Sequence, residues 1–459
     1  MSDNIEISPG LEYNIGIGLW QDNIKLSSVN SEEEKSTHNK RKGRHMQYNF
    51  YKEINELHNS ISDMEKQFAD NLILNPVENI PFSDSLKPSV SFMHGLYNTD
   101  TIRTPEQKFD SKLQFSGREQ ITEDIKTIYE MWAKLLGAEA LSMRLLSGLH
   151  AHIVLFMGIS EIGDKVLYLP EKAGGHTSGR AILERLGLDI MEIPYDSVNY
   201  RVDKERCLAL IKSFNPDVIF VDRSEGLVYE DFTWLGQSCS CCKIFDASQY
   251  LTNIICNDYN NPFNMGFDLI ISTLHKNFPG PQRALICSKS DNEIWRRLRS
   301  KISCYVSNMH FYTIYSAGFM LSHMDELNIL SRNMLQNAIL LEQELIKEGV
   351  PMISRSTSAL EPPTHHCWIK PESRQKAFEL YVTMERIGLL ANYRLLPYDI
   401  GYGLRLGLSG ATRSGLEMKD IPYLAHLISK AYKYDYTASL KAETVDFIHT
   451  IKKRSSYNG

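Results

Sequence analysis

From about residue 118 the chain alternates between short, nearly unbroken apolar runs and segments with helical spacing. Ile121, Ile125, Ile128, Trp132 and Leu135 form the apolar stripe of a helix that Gly137 closes. The runs Val166–Leu169, Asp189–Ile193, Val218–Val221, Ile244–Phe245, Leu269–Ile271 and Ala284–Cys287 read as strands. Gly179–Leu186 and Lys204–Phe214 read as helical or turn-rich links between them. Apolar strands joined by helices predict an α/β domain whose parallel or mostly parallel sheet is covered on both faces. Ala284–Cys287 follows a Pro-Gly-Pro turn too closely for a helical crossover, so a hairpin or antiparallel insertion is expected there.

The flanks differ from this middle. Phe50, Ile54, Leu57, Ile61, Met64 and Phe68 give Tyr48–Phe68 the pattern of an amphipathic helix, packed on the main body or clasping a second subunit. Before it, Ser31–Arg44 is acidic and then basic and reads as a solvated tail, in preference to a contact of Lys40, Arg41, Lys42 and Arg44 with a phosphate-rich partner. A long helical region covers about 309–348. Residues 350–459 read as a smaller α+β unit with strands His366–Ile369 and Gly403–Leu408 and helices 374–387 and 420–433. The expected division is an N-terminal arm (1–70), a large domain (71–330) and a small C-terminal domain (331–459), without internal repeats.

Composition narrows the class. The 459 residues carry 50 Lys+Arg against 56 Asp+Glu, a net charge of −6 that gives no reason to expect nucleic acid or a membrane surface as partner. No apolar run reaches the roughly 18–20 residues of a membrane-spanning helix, and MSDNIEISPG lacks a secretory pattern. The eight cysteines are irregularly spaced, so no disulfide framework and a cytoplasmic setting are expected. Cys239, Cys241 and Cys242 have no second ligand pair, and the adjacent His365, His366 and Cys367 point in different directions. No metal is expected; the clustered cysteines are read as small apolar residues at a strand entrance.

Ligands of such sheets sit beyond the carboxyl ends of the strands, and that is where the polar residues gather. Ser147-Gly148 opens a helix whose free N–H groups and dipole suit a phosphate. Gly174-Gly175-His176 follows the Val166–Leu169 strand, Ser224 follows Val218–Asp222, Asp246 ends Ile244–Phe245, and His275-Lys276 follows Leu269–Ile271. Alone, each is an ordinary surface or capping residue; their conjunction in this order is informative.

That order resembles the pyridoxal-phosphate enzymes of fold type I, and among them the serine hydroxymethyltransferase family, over about residues 70–430. Ser272-Thr273-Leu274-His275-Lys276, with Gly280-Pro281-Gln282 behind it, is similar to the family's lysine segment. Gly174-Gly175-His176, Phe245-Asp246-Ala247-Ser248 and Gly403-Leu404-Arg405-Leu406-Gly407 followed by Ala411-Thr412-Arg413-Ser414-Gly415 match further family motifs. The resemblance implies an aspartate-aminotransferase-like large domain with a smaller α+β domain, and pyridoxal 5′-phosphate as cofactor. It implies that Lys276 forms the internal aldimine, Asp246 faces the pyridine nitrogen and His176 stacks on the ring. Ser147, Gly148, Leu149, Ser224, Gln249 and His275 would complete the cofactor site; Arg405, Tyr97 and Glu78 would meet the substrate, Arg405 through a bidentate fork.

The chain also departs from that pattern. Val77-Glu78-Asn79 lacks the family's serine, Thr99 stands where the proton-handling glutamate belongs, and Asp100 is one position late. Leu149 replaces a phosphate-binding hydroxyl, Gln249 a histidine and Leu274 a threonine. Without its general acid/base, folate-dependent hydroxymethyl transfer is disfavoured. The remaining pattern is similar to the L-threonine transaldolases: cleavage and formation of the Cα–Cβ bond of a β-hydroxy-α-amino acid through a glycyl quinonoid, in specialised metabolism. The alternatives are another carbanion chemistry on this framework, such as hydroxymethyl transfer, oxidative decarboxylation or transamination, and a non-catalytic binding subunit. The last is disfavoured by the presence of Lys276, Asp246, His176 and Arg405. An amino acid and an aldehyde are the expected partners, and a homodimer the expected assembly, with Tyr305–His310 or the Tyr97 loop reaching the neighbouring site.

Overall fold

The computed structural model describes residues 51–358 and 360–454. The chain divides into two compact units, residues 1–59 and 60–459. Of the first, only the start of helix α1 (Tyr51–Ala69) is described. The tail Ser31–Arg44 and most of the expected arm lie outside the described residues.

The second unit contains a seven-stranded sheet: β1 (Ala140–Ser142), β2 (Lys165–Tyr168), β3 (Asp189–Glu192), β4 (Val218–Asp222), β5 (Cys242–Asp246), β6 (Leu269–Thr273) and β7 (Ala284–Ser288). Their spatial order is β1-β7-β6-β5-β4-β2-β3. From β3 to β6 all pairs are parallel, whereas β7 runs antiparallel to both β6 and β1. The expected antiparallel insertion is therefore β7, which returns through a turn in which Gly280 N–H donates to the Leu274 carbonyl at 2.7 Å. Every residue of β4, β6 and β7 is buried, the signature of a sheet covered on both faces. Helix α2 (Glu119–Leu136) buries Ile125, Ile128 and Trp132 against one face, and Gly137 ends it in the left-handed conformation at φ 68°. Helix α3 (Gly148–Ile159) covers the other face with Val154, Leu155 and Phe156.

A second, four-stranded antiparallel sheet is built from β8 (Met352–Ile353), β9 (His366–Ile369), β10 (Asn392–Leu396) and β11 (Gly401–Gly407), in the order β8-β9-β11-β10. Its core includes Leu380, Leu404, Leu406 and Ile428. Leu72 and Leu74 join that core, because the short strand Leu72–Ile73 pairs in parallel with Leu389–Leu390.

Helix α1 forms as expected, and Ile61, Met64 and Phe68, each about half exposed, line a groove with Ile73, Ile80 and Pro81. One expectation is corrected. Cys239 and Cys241 are joined in a disulfide rather than packing as separate small residues. They are two positions apart in a bend just before β5, with their Cα atoms 5.4 Å apart. Cys207, Cys242, Cys256, Cys287, Cys304 and Cys367 are free.

Candidate active site at the carboxyl ends of the strands

Parallel register sets Asp222, the last residue of β4, directly beside Asp246, the last residue of β5. Both side chains are buried. Two carboxylates so placed repel unless a cation lies between them. Helix α3 supplies His152, whose Nε2–H donates to Asp246 Oδ2 at 2.7 Å and whose Nδ1 lies 3.9 Å from Asp222 Oδ2. Ser248 N–H donates to the other Asp246 oxygen at 2.8 Å. Burial by itself would raise the Asp246 carboxyl, but the hydrogen bonds from His152 and Ser248 and the charges of His152 and Lys276 outweigh it and hold it at about 2. The reverse holds for Asp222, which burial raises, with the Asp246 charge adding to it. Burial opposes a charged His152, yet the bond to Asp246 and the field of Asp222 raise its pKa overall. These three side chains are also a group of metal-ligand type whose ligand atoms lie within 4.8 Å of one another; the hydrogen bond engages His152 and Asp246 with each other.

Lys276 follows β6 on a segment held at its backbone. Asn79 donates to the Lys276 carbonyl at 2.8 Å. Asn277, fully buried, accepts from Thr252 N–H at 2.8 Å and donates to Asn253 at 3.0 Å. Thr273 N–H donates to Ser248 Oγ at 2.9 Å, tying the lysine strand to the Asp246 turn. The Lys276 charge acts on His152, His176, Asp222, Asp246 and His275, so the amine shares their space. Burial pushes His275 down to about 4.

The loop before His176 needs its glycines. A Cβ on Gly174 would lie 2.2 Å from the Glu225 carbonyl oxygen, and one on Gly175 2.1 Å from that of Leu169. Gly174 also sits at φ +87°, where side chains are strained. The loop thereby lies flat on the end of β2 and brings His176 edge-on to His152, 6.0 Å between ring centroids. Its Nδ1 is 2.6 Å from Ser178 Oγ, and burial lowers its pKa. Ser147 caps α3, accepting from His150 N–H at 3.2 Å. Gly148 packs so closely that a Cβ would lie 2.7 Å from the Thr273 methyl.

Arg405, on β11, is 4% exposed; its Nη1 lies 3.6 Å from Glu225 Oε1 and 3.4 Å from the Ser224 carbonyl, while its Nε has no partner. Glu225 is also paired with Arg394. Burial brings Arg405 down to about 10 and raises Glu225 against the pull of both arginines. Ser224 Oγ donates to Asp222 at 3.2 Å, and Gln249 accepts from His366 at 3.3 Å with its own Nε2 unpartnered.

The structure thus brings Lys276, His176, Asp246, Ser224, His275, Gln249 and Arg405 to one edge of the sheet, with Ser147-Gly148 at the α3 terminus beside Thr273. Leu149, Tyr97 and Glu78 are exposed, and no described contact joins their side chains to this cluster. The side chain of Asp100, close to the position of the missing glutamate, is fully buried against Arg299 at 2.6 Å and Arg144 at 3.6 Å. Sequence reasoning passed over His152, Asp222, Glu225 and Arg394. Asp222 ended a recognised strand and was legible in principle; a histidine in the middle of an apolar helix carried no comparable signal.

A cofactor with a phosphate, a protonatable ring nitrogen and a carbonyl fits these residues. Buried atoms without a partner, among them Asp222 Oδ2, His152 Nδ1, Gln249 Nε2, Thr273 Oγ1, His275 Nδ1 and Arg405 Nε, cluster at the same strand ends. A mostly parallel sheet carrying a lysine and a buried carboxylate on neighbouring strand ends defines a fold type I pyridoxal-phosphate enzyme. A family model of serine hydroxymethyltransferase matches residues 51–428, and the chain belongs to that family. It is a pyridoxal-phosphate-dependent enzyme of transferase or aldolase type. A serine hydroxymethyltransferase of Pyrobaculum arsenaticum is 24% identical over 71% of this chain and 78% of the relative. One from Thermoplasma volcanium is 26% identical over 69% and 77%, respectively. The fold matches the crystal structure of an L-threonine transaldolase from Pseudomonas fluorescens in its internal aldimine state, with a TM-score of 0.80 and 21% identity over 87% of this chain and 92% of that one.

Proposed function

We propose that the protein breaks and forms the Cα–Cβ bond of a β-hydroxy-α-amino acid, as an L-threonine transaldolase or aldolase. The carrying observation is the state of the carboxylate nearest the family's glutamate position: Thr99 has none, and Asp100 is locked between Arg144 and Arg299. Folate-linked transfer would lack its acid/base there, whereas aldol cleavage needs only a base at the substrate hydroxyl. The name of the structural neighbour, an L-threonine transaldolase, supports this reading.

When bound, pyridoxal phosphate supplies an electrophilic carbon for the amino group and a sink for the electron pair left at Cα. Lys276 would hold it covalently through its side-chain amine. Asp246 would hold the proton of the ring nitrogen, and His176 would line the same site. Ser147 and Gly148 take the phosphate at the α3 terminus, aided by its dipole; Ser224, His275 and Gln249 line the remaining edge. Arg405 binds the substrate carboxylate through the edge that carries its free Nε. Burial lowers the His176 pKa, and its Nδ1 accepts from Ser178 N–H at 3.2 Å, so the neutral ring carries its proton on Nε2 and would face the β-hydroxyl as a hydrogen-bond donor. Leu149, Tyr97 and Glu78 receive no role within one chain. Assembly as a homodimer is part of the proposal, measurable by light scattering.

Holoenzyme incubated with L-threonine and a panel of aldehydes should release acetaldehyde and form new β-hydroxy amino acids. The names of the curated relatives favour a second reading, serine hydroxymethyl transfer. Turnover of L-serine that depends on tetrahydrofolate, without acetaldehyde from threonine, would establish it instead.

A further inference from the structure

We propose that His152, backed by Asp222, is a positioning residue that locks the Asp246 carboxylate in the orientation facing the cofactor's ring nitrogen. This rests on the placement of Asp246 against that nitrogen, and is independent of which carbon–carbon chemistry follows.

A buried carboxylate can rotate about its last torsion, and its orientation decides whether a lone pair meets a ring N–H. Both Asp246 oxygens are engaged from the protein side, Oδ2 by His152 Nε2 at 2.7 Å and Oδ1 by Ser248 N–H at 2.8 Å. The carboxylate plane is thereby fixed, with lone pairs still open toward the site. Because a carboxylate only accepts, Nε2 must carry the proton. Asp222 makes that arrangement durable: its Oδ2 lies 3.9 Å from His152 Nδ1, and neither atom has another partner. The titratable groups facing the imidazole are Asp222 from β4, Asp246 from β5, Lys276 beyond β6 and the His176 ring beyond β2. Phe220, 5.2 Å away and edge-on, closes the remaining side. Helix geometry adds a reason for this residue to be on α3. Gly148 and His152 are one turn apart, about 6 Å along the axis, so the helix proposed to take the phosphate at its N-terminus also steadies the group at the far side of the ring. The imidazole also resolves the repulsion of two carboxylates that strand register forces side by side.

The test uses the full chain, pyridoxal phosphate as probe and no amino acid. His152→Ala should weaken cofactor binding about tenfold or more, the worth of a hydrogen bond to a charged group. His152→Asn, which keeps a donor, should recover most of that loss. In the cofactor-free protein labelled at histidine nitrogen, the His152 resonance should remain that of an imidazolium above pH 6.5, and Asp222→Asn should move its titration to lower pH. Should His152→Ala bind cofactor like the unaltered chain while Asp246→Asn binds weakly, this inference fails and the placement of Asp246 stands. Should Asp246→Asn bind unchanged, the placement itself fails and takes the inference with it. If His152→Ala does not fold, the titration decides: an imidazole of ordinary pKa, indifferent to Asp222→Asn, overturns the proposal.

Discussion

Glu225 occupies one side of the guanidinium proposed to hold the substrate carboxylate, and replacing it by glutamine should tighten amino-acid binding. Its Oε1 lies 3.6 Å from Arg405 Nη1, and it also pairs with Arg394. A substrate carboxylate on the opposite edge of Arg405 would sit roughly 7 Å from Glu225, where like charges at an effective dielectric of about 20 repel by about 2 kcal/mol. Removing that charge leaves two guanidiniums uncompensated, so the dissociation constant for a carboxylate ligand should fall about thirtyfold. Glutamine keeps the shape and an acceptor for Arg394, but breaking a buried ion pair typically costs about 3–5 kcal/mol of stability. Affinity must therefore be read on folded holoenzyme, by titrating glycine and L-threonine against the visible absorption of the bound cofactor. A lowered melting temperature is compatible with the argument. An unchanged or weaker affinity in Glu225→Gln refutes it, because it would mean that the substrate carboxylate does not sense this arm of the network.

Further outcomes follow from other parts of the structure. Lys276→Ala should abolish the visible band formed with pyridoxal phosphate while leaving the circular dichroism spectrum unchanged; a persisting band would remove the lysine from its role. Burial lowers His365 to about 3 and His366 well below its ordinary value of 6.5. Both bind protons more readily unfolded than folded, so their share of stability is complete above pH 6.5 and falls on acidification, by about 1.4 kcal/mol per pH unit for each between roughly pH 5.5 and 4. Urea unfolding across that range should show the decline, and replacing both histidines should flatten it. Gly175→Ala would drive a methyl against the Leu169 carbonyl, which is backbone and cannot swing aside; a loss of at least about 2 kcal/mol is expected. Gly95→Ala, with nothing within 4 Å of its added carbon, should stay within about 0.5 kcal/mol in the same denaturation assay.

Most of the framework was legible because its signals are local. Continuous apolar runs marked β2 and β4 to β7 to within a few residues, since strands buried on both faces tolerate little else, whereas β3 is a mostly exposed edge strand. A turn too short for a crossover disclosed the antiparallel β7. Edges and exposed elements gave less: β1 is three residues long, and β10 mixes exposed with buried positions. Helix α1 displayed its periodicity, but periodicity names a face without naming what covers it. The Cys239–Cys241 disulfide escaped because a spacing of two gives no fixed side-chain geometry until the turn around it is known.

The site divides along a similar line. Sequence reading singled out Lys276, Asp246 and Arg405, each at a strand or motif boundary, and passed over His152 and Glu225, which face Asp246 and Arg405. Those partners come from far along the chain: His152 reaches Asp246 across 94 positions, and Arg405 meets Glu225 from a different sheet. No local pattern encodes such a pair, because what selects the partner is the cost of leaving a buried charge unmatched. Asp222 and Asp246 meet through strand register, and Glu225 lies three residues beyond Asp222, so one wall of the site collects three buried carboxylates. His152, Arg394 and Arg405 are the cations set against them, and Lys276 lies within their field. Neutralising a member of this wall alters the field felt by every anion that enters. Cofactor affinity and amino-acid affinity should therefore respond to Asp222, His152 and Glu225 even though none of them is proposed to touch the reacting carbon.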